Sequence, residues 1–409
     1  MRVAVMRNKM LKSAVAAALA MTTAIANPSI MAMKVDNVKV EEIGADHKIW
    51  DKAKDVNITI SPQTTIRFND KKANVLNADN VGKMVKVSAI YDSSAIAFKV
   101  RWADGTQNIQ NGMESDEYPD GFAIQLAVES NDTAKLPYIG MGSEERPVLV
   151  HLQKAVNSHY KPNGNSDVLL QVNRHQVNAF DENLTEFDQK VSKAGIYDYQ
   201  KVFISEGFRS MTEIKEGSDK FSMEMEYEVA GWTGIMSRLL KDKNIDFSQA
   251  GAIPVAFAVW DGEKLGRGGL KHLSAWIAVK LEGRKGGEDL IKELTAKPIG
   301  DAKAGKANVE AMCASCHTLN GEKVATPFTA PDLTNIGGYS TAAYLAESIK
   351  DPNAVIVPGY NRTAHKNFAW YTVNERGERT STMPSMMTDE TMINDAVAYL
   401  KTLKAKIEK

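Results

Sequence analysis

Between about Val35 and Leu281, short runs of residues alternate between apolar and polar side chains, and this pattern constrains the fold most strongly. The runs are 96–102, 122–128, 221–227, 253–259 and 273–281, and the turn-forming clusters 103–105, 162–165 and 261–262 lie between them. Alternation with a period of two places the apolar side chains on one face of a strand. Many short strands with turn-rich connections are typical of a β-sandwich. The residues therefore predict an all-β sandwich with helical insertions, one of them at 233–243, while 181–195 is ambiguous.

The periodicity changes after Leu281, where a charged, glycine-rich stretch at 282–288 interrupts the alternation. Beyond it, apolar residues recur at helical spacing, and the last of them form one stripe. This stripe consists of Ile393, Ala396, Val397, Leu400 and Leu403. Thr388 precedes the stripe and is the predicted N-cap of the last helix. The pattern predicts a signal peptide at 1–32, a β-sandwich domain at 33–282, a linker at 283–300 and an all-α domain at 301–409.

The N-terminus has the features of an export signal. Basic residues precede the small apolar run 13–26, and Ala24-Ile25-Ala26 fits a small-x-small cleavage site, with Ile30-Met31-Ala32 as a second choice. The apolar run is shorter than the roughly 20 residues that span a bilayer, although an uncleaved anchor is the alternative. We therefore expect a soluble, periplasmic or otherwise exported chain with no transmembrane segment after cleavage.

The balance of charges argues against a nucleic-acid partner. Lys and Arg total 50 residues, Asp and Glu total 51, and the formal net charge is −1. Proteins that neutralise phosphates carry a strongly basic balance, which this chain lacks.

Both cysteines of the chain lie in one motif, Cys313-Ala314-Ser315-Cys316-His317. A disulfide within this motif would close no loop of useful length. The spacing matches two thioether bonds to the vinyl groups of haem, with the following histidine as proximal iron ligand. A thioredoxin-like pair would need a βαβ setting, and a zinc site would need further ligands. The motif predicts one covalent haem c held by Cys313, Cys316 and His317.

A sixth iron ligand is expected downstream in the same domain. Met383 precedes a proline in Thr382-Met383-Pro384-Ser385, and that proline stiffens the loop. A methionine opposite histidine raises the reduction potential relative to a second histidine. Spacing alone leaves His365, Met386 and Met387 open as alternatives.

Residues from about 302 to 409 resemble a small class I cytochrome c. The matching features are the Cys-x-x-Cys-His motif, Asn320-Gly321, Ala330-Pro331-Asp332-Leu333, Met383-Pro384 and Ala398-Tyr399-Leu400 in the last helix. The resemblance implies that Met383 is the distal ligand. It also implies that Pro331 lies over the proximal side and helps to orient the histidine.

Most of 35–281 resembles the haem b-binding γ subunits of dimethyl sulfoxide reductase-family enzymes, as in ethylbenzene dehydrogenase and the selenate and chlorate reductases. The matching pieces are 97–104, 119–125, 140–142 with 147–148, and 259–262 leading to 268–271. The resemblance implies a second, non-covalent haem b whose iron lies between Met141 and Lys271. Arg267, in the glycine-rich stretch before Lys271, could pair with a haem propionate.

Lysine must be neutral to bind iron, so this ligand requires a dry site. If one strand runs from Lys271 to Leu281, Lys271 shares the apolar face of Leu273 and Ile277 and points inward. His272 lies on the opposite face and stays a rival because histidine is the commoner haem ligand. Met113 is a lesser alternative to Met141.

The resemblances together imply an electron-transfer subunit that performs no catalysis itself. Its implied partners are a molybdenum catalytic subunit, an iron–sulfur subunit and a soluble cytochrome or similar carrier. Subunits with haem b and haem c together are similar to those of nitrite oxidoreductases, so nitrite or nitrate is the first expected substrate of the complex. The alternative from another class is a single-haem cytochrome c fused to a sandwich that binds a sugar or other ligand. A redox sensor is a third possibility.

Overall fold

The computed structural model describes residues 27–109, 118–129, 132–156, 199–215, 221–322 and 324–407. The ambiguous segment 181–195 and the signal-peptide residues 1–26 lie outside these ranges.

Within the described residues, the N-terminal region is built mainly from strands, as the alternation predicts. The strands are β1 (Ile30–Lys34), β2 (Val56–Pro62), β3 (Val81–Tyr91), β4 (Ala95–Ala103), β5 (Gly121–Ala127), β6 (Val148–Lys154), β7 (Gln200–Ser205), β8 (Thr212–Glu213), β9 (Phe221–Tyr227), β10 (Gly231–Leu239), β11 (Ala252–Trp260), β12 (His272–Leu273) and β13 (Ile277–Leu281). One short helix, α1 (Lys71–Leu76), and three 3-10 turns at 40–42, 48–52 and 133–135 connect them.

The strands form one hydrogen-bonded path in the order β8-β7-β6-β5-β11-β12-β2-β3-β4-β10-β9, with β1 parallel to both β3 and β13. This path folds over so that its two halves face each other. Phe98 of β4 and Phe257 of β11 are not neighbours in the path, yet their ring centroids are 6.1 Å apart. Large side chains of β2, β3, β4, β5 and β11 fill one shared core. The predicted β-sandwich is confirmed.

The helical insertion predicted at 233–243 is wrong. These residues belong largely to β10, which pairs antiparallel with β4 on one side and β9 on the other. Met236 packs into the sandwich core, whereas Ile235 packs against the 3-10 turns on the outer face. Because both faces of β10 are covered, both carry apolar residues and the alternation is lost.

Residues after β13 form a compact helical domain. Its elements are α2 (Glu288–Thr295), α3 (Ala302–Met312), α4 (Ile336–Tyr339), α5 (Ala342–Lys350), the hairpin β14 (Tyr371–Val373) and β15 (Arg379–Ser381), α6 (Glu390–Leu400) and β16 (Lys406–Ile407). Helices α3 and α6 cross closely at Gly305. A Cβ at this position would lie 1.8 Å from the carbonyl oxygen of Asp395. The cap of α6 is Asp389, whose side chain accepts from the Met392 amide, rather than the predicted Thr388.

Two structural details bear on the predicted segment boundaries. The linker predicted at 283–300 contains α2, whose Leu290 and Leu294 are buried. Strand β1 overlaps the end of the predicted signal peptide, and Ile30 and Ala32 are fully buried in the sheet. Cleavage after Ala26 would keep β1 intact, whereas cleavage after Ala32 would remove its first three residues.

The helical domain is bonded directly to the sandwich. Strand β16 pairs with β3, and Arg146 makes a bidentate ion pair with Glu347 at 2.7 and 2.8 Å. The Asn335 side chain donates to the Pro62 carbonyl at 3.0 Å. These contacts fix the two domains against each other. None of the helices in the described ranges has the length and apolar character needed to cross a membrane.

Candidate functional site: two adjacent cavities

The Cys-x-x-Cys-His motif forms a tight turn at the end of α3. Cys313 is the C-cap of α3, and its carbonyl accepts from the amides of Cys316 at 3.1 Å and His317 at 2.9 Å. Cys313 is half-buried and Cys316 is exposed, and both thiols are free. Burial and the neighbouring Cys316 raise the pKa of Cys313. Both cysteines line one cavity.

The imidazole of His317 is oriented by a backbone group. Its Nδ1 lies 2.7 Å from the carbonyl oxygen of Pro331, which can only accept a hydrogen bond. Nδ1 therefore carries the proton, and Nε2 keeps its lone pair for a metal. Burial lowers the pKa of His317, which favours this neutral form. The donor set fits a covalently attached haem with His317 on the iron.

The cavity beside this turn has a volume of about 610 Å³ and lies between α3, α5, α6 and the β14–β15 hairpin. Met383, Met386 and Met387 all line it. Met386 is 51% exposed and Met387 is buried in the helical core, whereas Met383 is half-buried with its amide donating to Ser381. His365 is not among the lining residues. Met383 therefore remains the candidate for the second iron ligand, because it lines the cavity and its backbone amide is hydrogen-bonded to Ser381.

Several lining residues of this C-terminal cavity were missed by the sequence analysis. Thr65 and Tyr138 come from the sandwich domain, and Tyr344, Tyr360 and Trp370 come from the helical domain. Burial raises the pKa of Tyr138 and Tyr360 well above the ordinary value, so both remain neutral phenols. No local pattern marks Thr65 or Tyr138, because only the packing of the two domains brings them to the cavity.

A second cavity, of about 410 Å³, lies on the outer face of the sandwich sheet. Met141 and Lys271, which are far apart in sequence, both line it, and so does Arg267. This volume is within the range of small-molecule and cofactor sites, about 300–1,000 Å³. The structure therefore brings together the three residues singled out for a non-covalent haem. Met113 lies outside the described residues.

Met141 sits at the tip of a strained turn. Its φ of 78° is in the left-handed region, which side chains rarely adopt. The amide of Gly142 donates to the Tyr138 carbonyl at 2.9 Å, and the Met141 carbonyl accepts from the Gly207 amide at 2.8 Å. Gly142 also has a positive φ, and a Cβ there would lie 2.6 Å from the Ser205 carbonyl oxygen. These bonds hold the Met141 side chain on the cavity wall, and such local strain often marks functional sites.

Lys271 is half-buried, and its ammonium lies 5.2 Å from the centre of the Trp260 ring. Burial lowers the pKa of Lys271 to about 8. Lys271 therefore loses its proton, and gains the free lone pair that an iron ligand requires, at a lower pH than an ordinary lysine does.

The continuous strand assumed from Lys271 to Leu281 is wrong. Strand β12 covers only His272–Leu273, and residues 274–276 separate it from β13. Both strands pair with β11, but the chain takes four steps from Leu273 to Ile277 against three between their partners Ala258 and Val255, so it bulges by one residue. His272 points away from the cavity, with its Nε2 2.9 Å from the Val81 carbonyl oxygen. Lys271 alone of the two lines the cavity.

Arg267 lies at the cavity edge, but its guanidinium is already engaged. It forms a 2.6 Å ion pair with Asp70, donates to the Leu265 carbonyl, and stacks over the rings of Phe68 and Tyr118. A propionate at this site would share Arg267 with Asp70. Arg209 and Lys154 also line the cavity and were missed by the sequence analysis.

Small side chains create the space for this N-terminal cavity. In β5 and β11 the large residues point into the sandwich core, while Ala123, Ala256 and Ala258 face the cavity. A solvent-facing strand surface normally carries polar residues instead. Alternation of large apolar residues with alanine is therefore a sequence signal for a covered outer face, and it was overlooked.

The two cavities share one aromatic wall. Phe208 lines the N-terminal cavity and Tyr360 lines the C-terminal one. Their ring centroids are 6.0 Å apart in an edge-to-face arrangement. Two contacting rings thus separate the two spaces at this point.

Comparisons with known proteins agree with this two-domain construction. The cytochrome c family model matches residues 302–404, so the C-terminal domain is a cytochrome c domain. A second family model, described as ethylbenzene dehydrogenase, matches residues 47–272, which is more than half of the chain. The chain therefore belongs to the ethylbenzene dehydrogenase family and carries a C-terminal cytochrome c domain, which implies haem c.

Among curated proteins, the chain is similar to one from Haloferax mediterranei that is provisionally named a respiratory nitrate reductase heme subunit. The two are 23% identical over 258 residues, which cover 62% of this chain and 76% of the relative. Among solved structures, a family 9 carbohydrate binding module of Caldicellulosiruptor kristjanssonii in complex with cellotriose matches at 11% identity and a TM-score of 0.29. That match covers 63% of this chain and 94% of the module.

Proposed function

We propose that this protein is the exported, dihaem electron-transfer subunit of a molybdenum oxidoreductase complex. In this proposal it passes electrons between an iron–sulfur subunit and a soluble carrier. When bound, the haem irons supply reversible one-electron chemistry. The observation that carries the proposal is the shared wall between two cavities, each lined by a matching pair of candidate iron ligands.

In the C-terminal cavity, Cys313 and Cys316 would hold the porphyrin covalently, and His317 and Met383 would bind its iron. The Pro331 carbonyl fixes the tautomer of His317, and a thioether opposite imidazole favours a raised potential. The chain's residues set the potential through ligand identity, burial and hydrogen bonding.

In the N-terminal cavity, Met141 and Lys271 would bind the iron of a haem b, and Arg267 would pair with a propionate. The strained turn positions the Met141 side chain, and burial lowers the pKa of Lys271, so its amine gives up a proton more readily. The lining of this cavity is mostly apolar, and the two candidate donors lie on its walls. This arrangement supports a non-covalent haem.

The name of the Haloferax relative supports a respiratory oxyanion complex, and nitrite or nitrate is our first proposed substrate of the catalytic partner. The test is to isolate the tagged full-length chain from its native host and to measure molybdenum and non-haem iron in the complex. We expect both metals to co-purify. We also expect nitrite to reduce the haems, or nitrate to oxidise them after dithionite reduction. Matched selenate and chlorate arms test the other substrates.

The proposal fails if no molybdenum accompanies the chain and none of these oxyanions changes the haem absorbance. The carbohydrate-binding alternative makes a separate prediction. A sugar-binding module fused to a cytochrome would contain haem c alone and would bind cello-oligosaccharides in calorimetry.

A further inference from the structure

Three carboxylates that line neither cavity converge at one end of the sandwich. Asp104 follows β4, Asp120 precedes β5 and Asp261 follows β11. Each is at most 8% exposed, and one oxygen of each lies within 4.8 Å of the other two. Aspartates are rarely this buried unless they are paired or bind a cation. This carboxylate cluster therefore needs a physical explanation.

Two members of the cluster have strong partners. Asp120 accepts from the Gly262 amide at 2.7 Å, from the Asn108 amide at 2.8 Å and from the Trp232 indole at 3.0 Å. Asp261 forms a 2.8 Å ion pair with Lys83. These bonds place both carboxylates in fixed orientations before any ligand arrives.

Asp104 is different. One of its oxygens accepts from the amide of Thr106 at 3.2 Å, but Oδ2 is buried and has no hydrogen-bond partner. Leaving a buried acceptor unsatisfied costs about 1–3 kcal/mol, and more when the group is charged. An unpartnered carboxylate oxygen among other carboxylates is a group that a cation would satisfy.

The charges of the cluster do not balance. In the part of the chain that the structure describes, the three carboxylates form one ion pair, that of Asp261 with Lys83, since Lys264 reaches Asp261 through its backbone amide and pairs its side chain with Asp79. Burial and repulsion from Asp120 and Asp261 raise the pKa of Asp104 to about 6. Two negative charges therefore remain uncompensated when all three groups are ionised.

We propose that Asp104, Asp120 and Asp261 form a binding site for a hard divalent cation of the Ca²⁺ class. The all-oxygen donor set excludes a preference for soft or imidazole-seeking metals. Ca²⁺ accepts several carboxylates in irregular geometry, whereas Mg²⁺ usually keeps most of its waters and takes one or two carboxylates. The cation would join the ends of β4, β5 and β11, and water would complete its coordination sphere.

The experiment uses the full-length protein with its haems in place. After dialysis against EDTA, CaCl₂ is titrated in by isothermal calorimetry, and melting is followed with and without excess CaCl₂ or MgCl₂. We expect saturable binding of one Ca²⁺ and a rise of several degrees in the melting temperature, with a smaller rise for Mg²⁺. The haem absorbance should stay unchanged, which separates this site from the two cavities.

The Asp104→Asn variant should lose the Ca²⁺-dependent rise in melting temperature, while the exposed Asp36→Asn control should keep it. If the site binds no cation, Asp104→Asn removes an unbalanced buried charge and should raise the melting temperature with or without Ca²⁺. The wild-type titration decides the question even if the variant fails to accumulate. An unchanged melting temperature and no heat of binding in the wild-type protein would overturn the proposal.

Discussion

The two cavities differ in how the chain builds them. In the C-terminal cavity, three candidate haem-binding residues lie within five consecutive positions at the end of α3. In the N-terminal cavity, Met141 comes from a turn after a 3-10 segment and Lys271 from the edge of β12, and the alanine wall belongs to two other strands. One site is specified by local sequence, and the other is specified by the tertiary fold.

This difference has an energetic consequence. Two covalent bonds would tether haem in the C-terminal cavity regardless of how well the surrounding cavity packs. In the N-terminal cavity, retention would depend on non-covalent contacts alone, chiefly iron ligation and apolar packing against residues that five strands contribute. The N-terminal site should therefore be far more sensitive to single substitutions. The following predictions test this contrast, from the largest expected effect to the smallest.

Replacing both thiols, Cys313→Ala with Cys316→Ala, should abolish covalent haem completely because no other cysteine exists. Haem staining of a denaturing gel measures the loss. The exposed Ser315→Ala between them is the matched control and should stain like the wild type. A b-type absorption band should persist in the double variant. Its disappearance together with haem c would mean that the two sites are not independent.

Lys271→Ala should eliminate the b-type α-band and spare haem c, because it removes a candidate axial ligand. Difference spectra of the reduced protein measure both bands. Lys264→Ala, at a lysine that pairs with Asp79 outside the cavity, is the control. His272→Gln should also retain the b-type band, since His272 bonds to Val81. Loss of the band in His272→Gln but not in Lys271→Ala would reverse the assignment.

Met383→Ala should remove the weak methionine–iron absorption in the far red and lower the potential of haem c, without releasing the haem. Optical spectra and a redox titration measure the two effects. Met386→Ala, at an exposed methionine on the same loop, should change neither. Persistence of the far-red band in Met383→Ala would assign another methionine to the iron.

Ala258→Leu should weaken haem b retention by about tenfold, because added methylenes in a packed site cost about 1–3 kcal/mol. The residue faces the N-terminal cavity from β11. The ratio of b-type to c-type absorbance after gel filtration measures the effect, and haem c is the internal control. An unchanged ratio would show that the alanine wall does not contact the haem.

Lys401 is a buried lysine that lines neither cavity, in contrast to Lys271. Its ammonium donates to the Ser340 carbonyl, and burial lowers its pKa to about 7 from the ordinary 10.5. Between these values the unfolded chain binds more protons than the folded one, so the unfolding free energy should rise with pH. Lys401→Met should show a smaller rise between pH 7 and 10 in thermal melts, with both haem bands unchanged. An identical pH dependence in the variant would contradict this reading.

The fold was predictable wherever the signal was local. Alternation located β4, β5, β9 and β11, because a strand with one buried face repeats every two residues. It failed for β10, where sheet neighbours on both sides and packing on both faces erase the alternation. It also failed at 274–276, where one extra residue bulges between two short strands that both pair with β11.

The same limit applies to the sites. The Cys-x-x-Cys-His motif needed no tertiary information, whereas nothing near Tyr138 or Thr65 indicated that they line a cavity in the other domain. The resemblance to known γ subunits named Met141 and Lys271, and the structure places them in one cavity. The alanines of β5 and β11 could have suggested that cavity from sequence alone.

The central claim is that one chain holds one haem covalently and a second haem by ligation and packing alone. It is tested most directly by a pyridine haemochrome assay on the purified full-length protein, before and after extraction with acidified organic solvent. We predict b-type and c-type haem in equal amounts before extraction, with only the c-type haem remaining on the polypeptide afterwards. A c-type signal alone in the unextracted protein, made under haem-sufficient conditions, would contradict the claim.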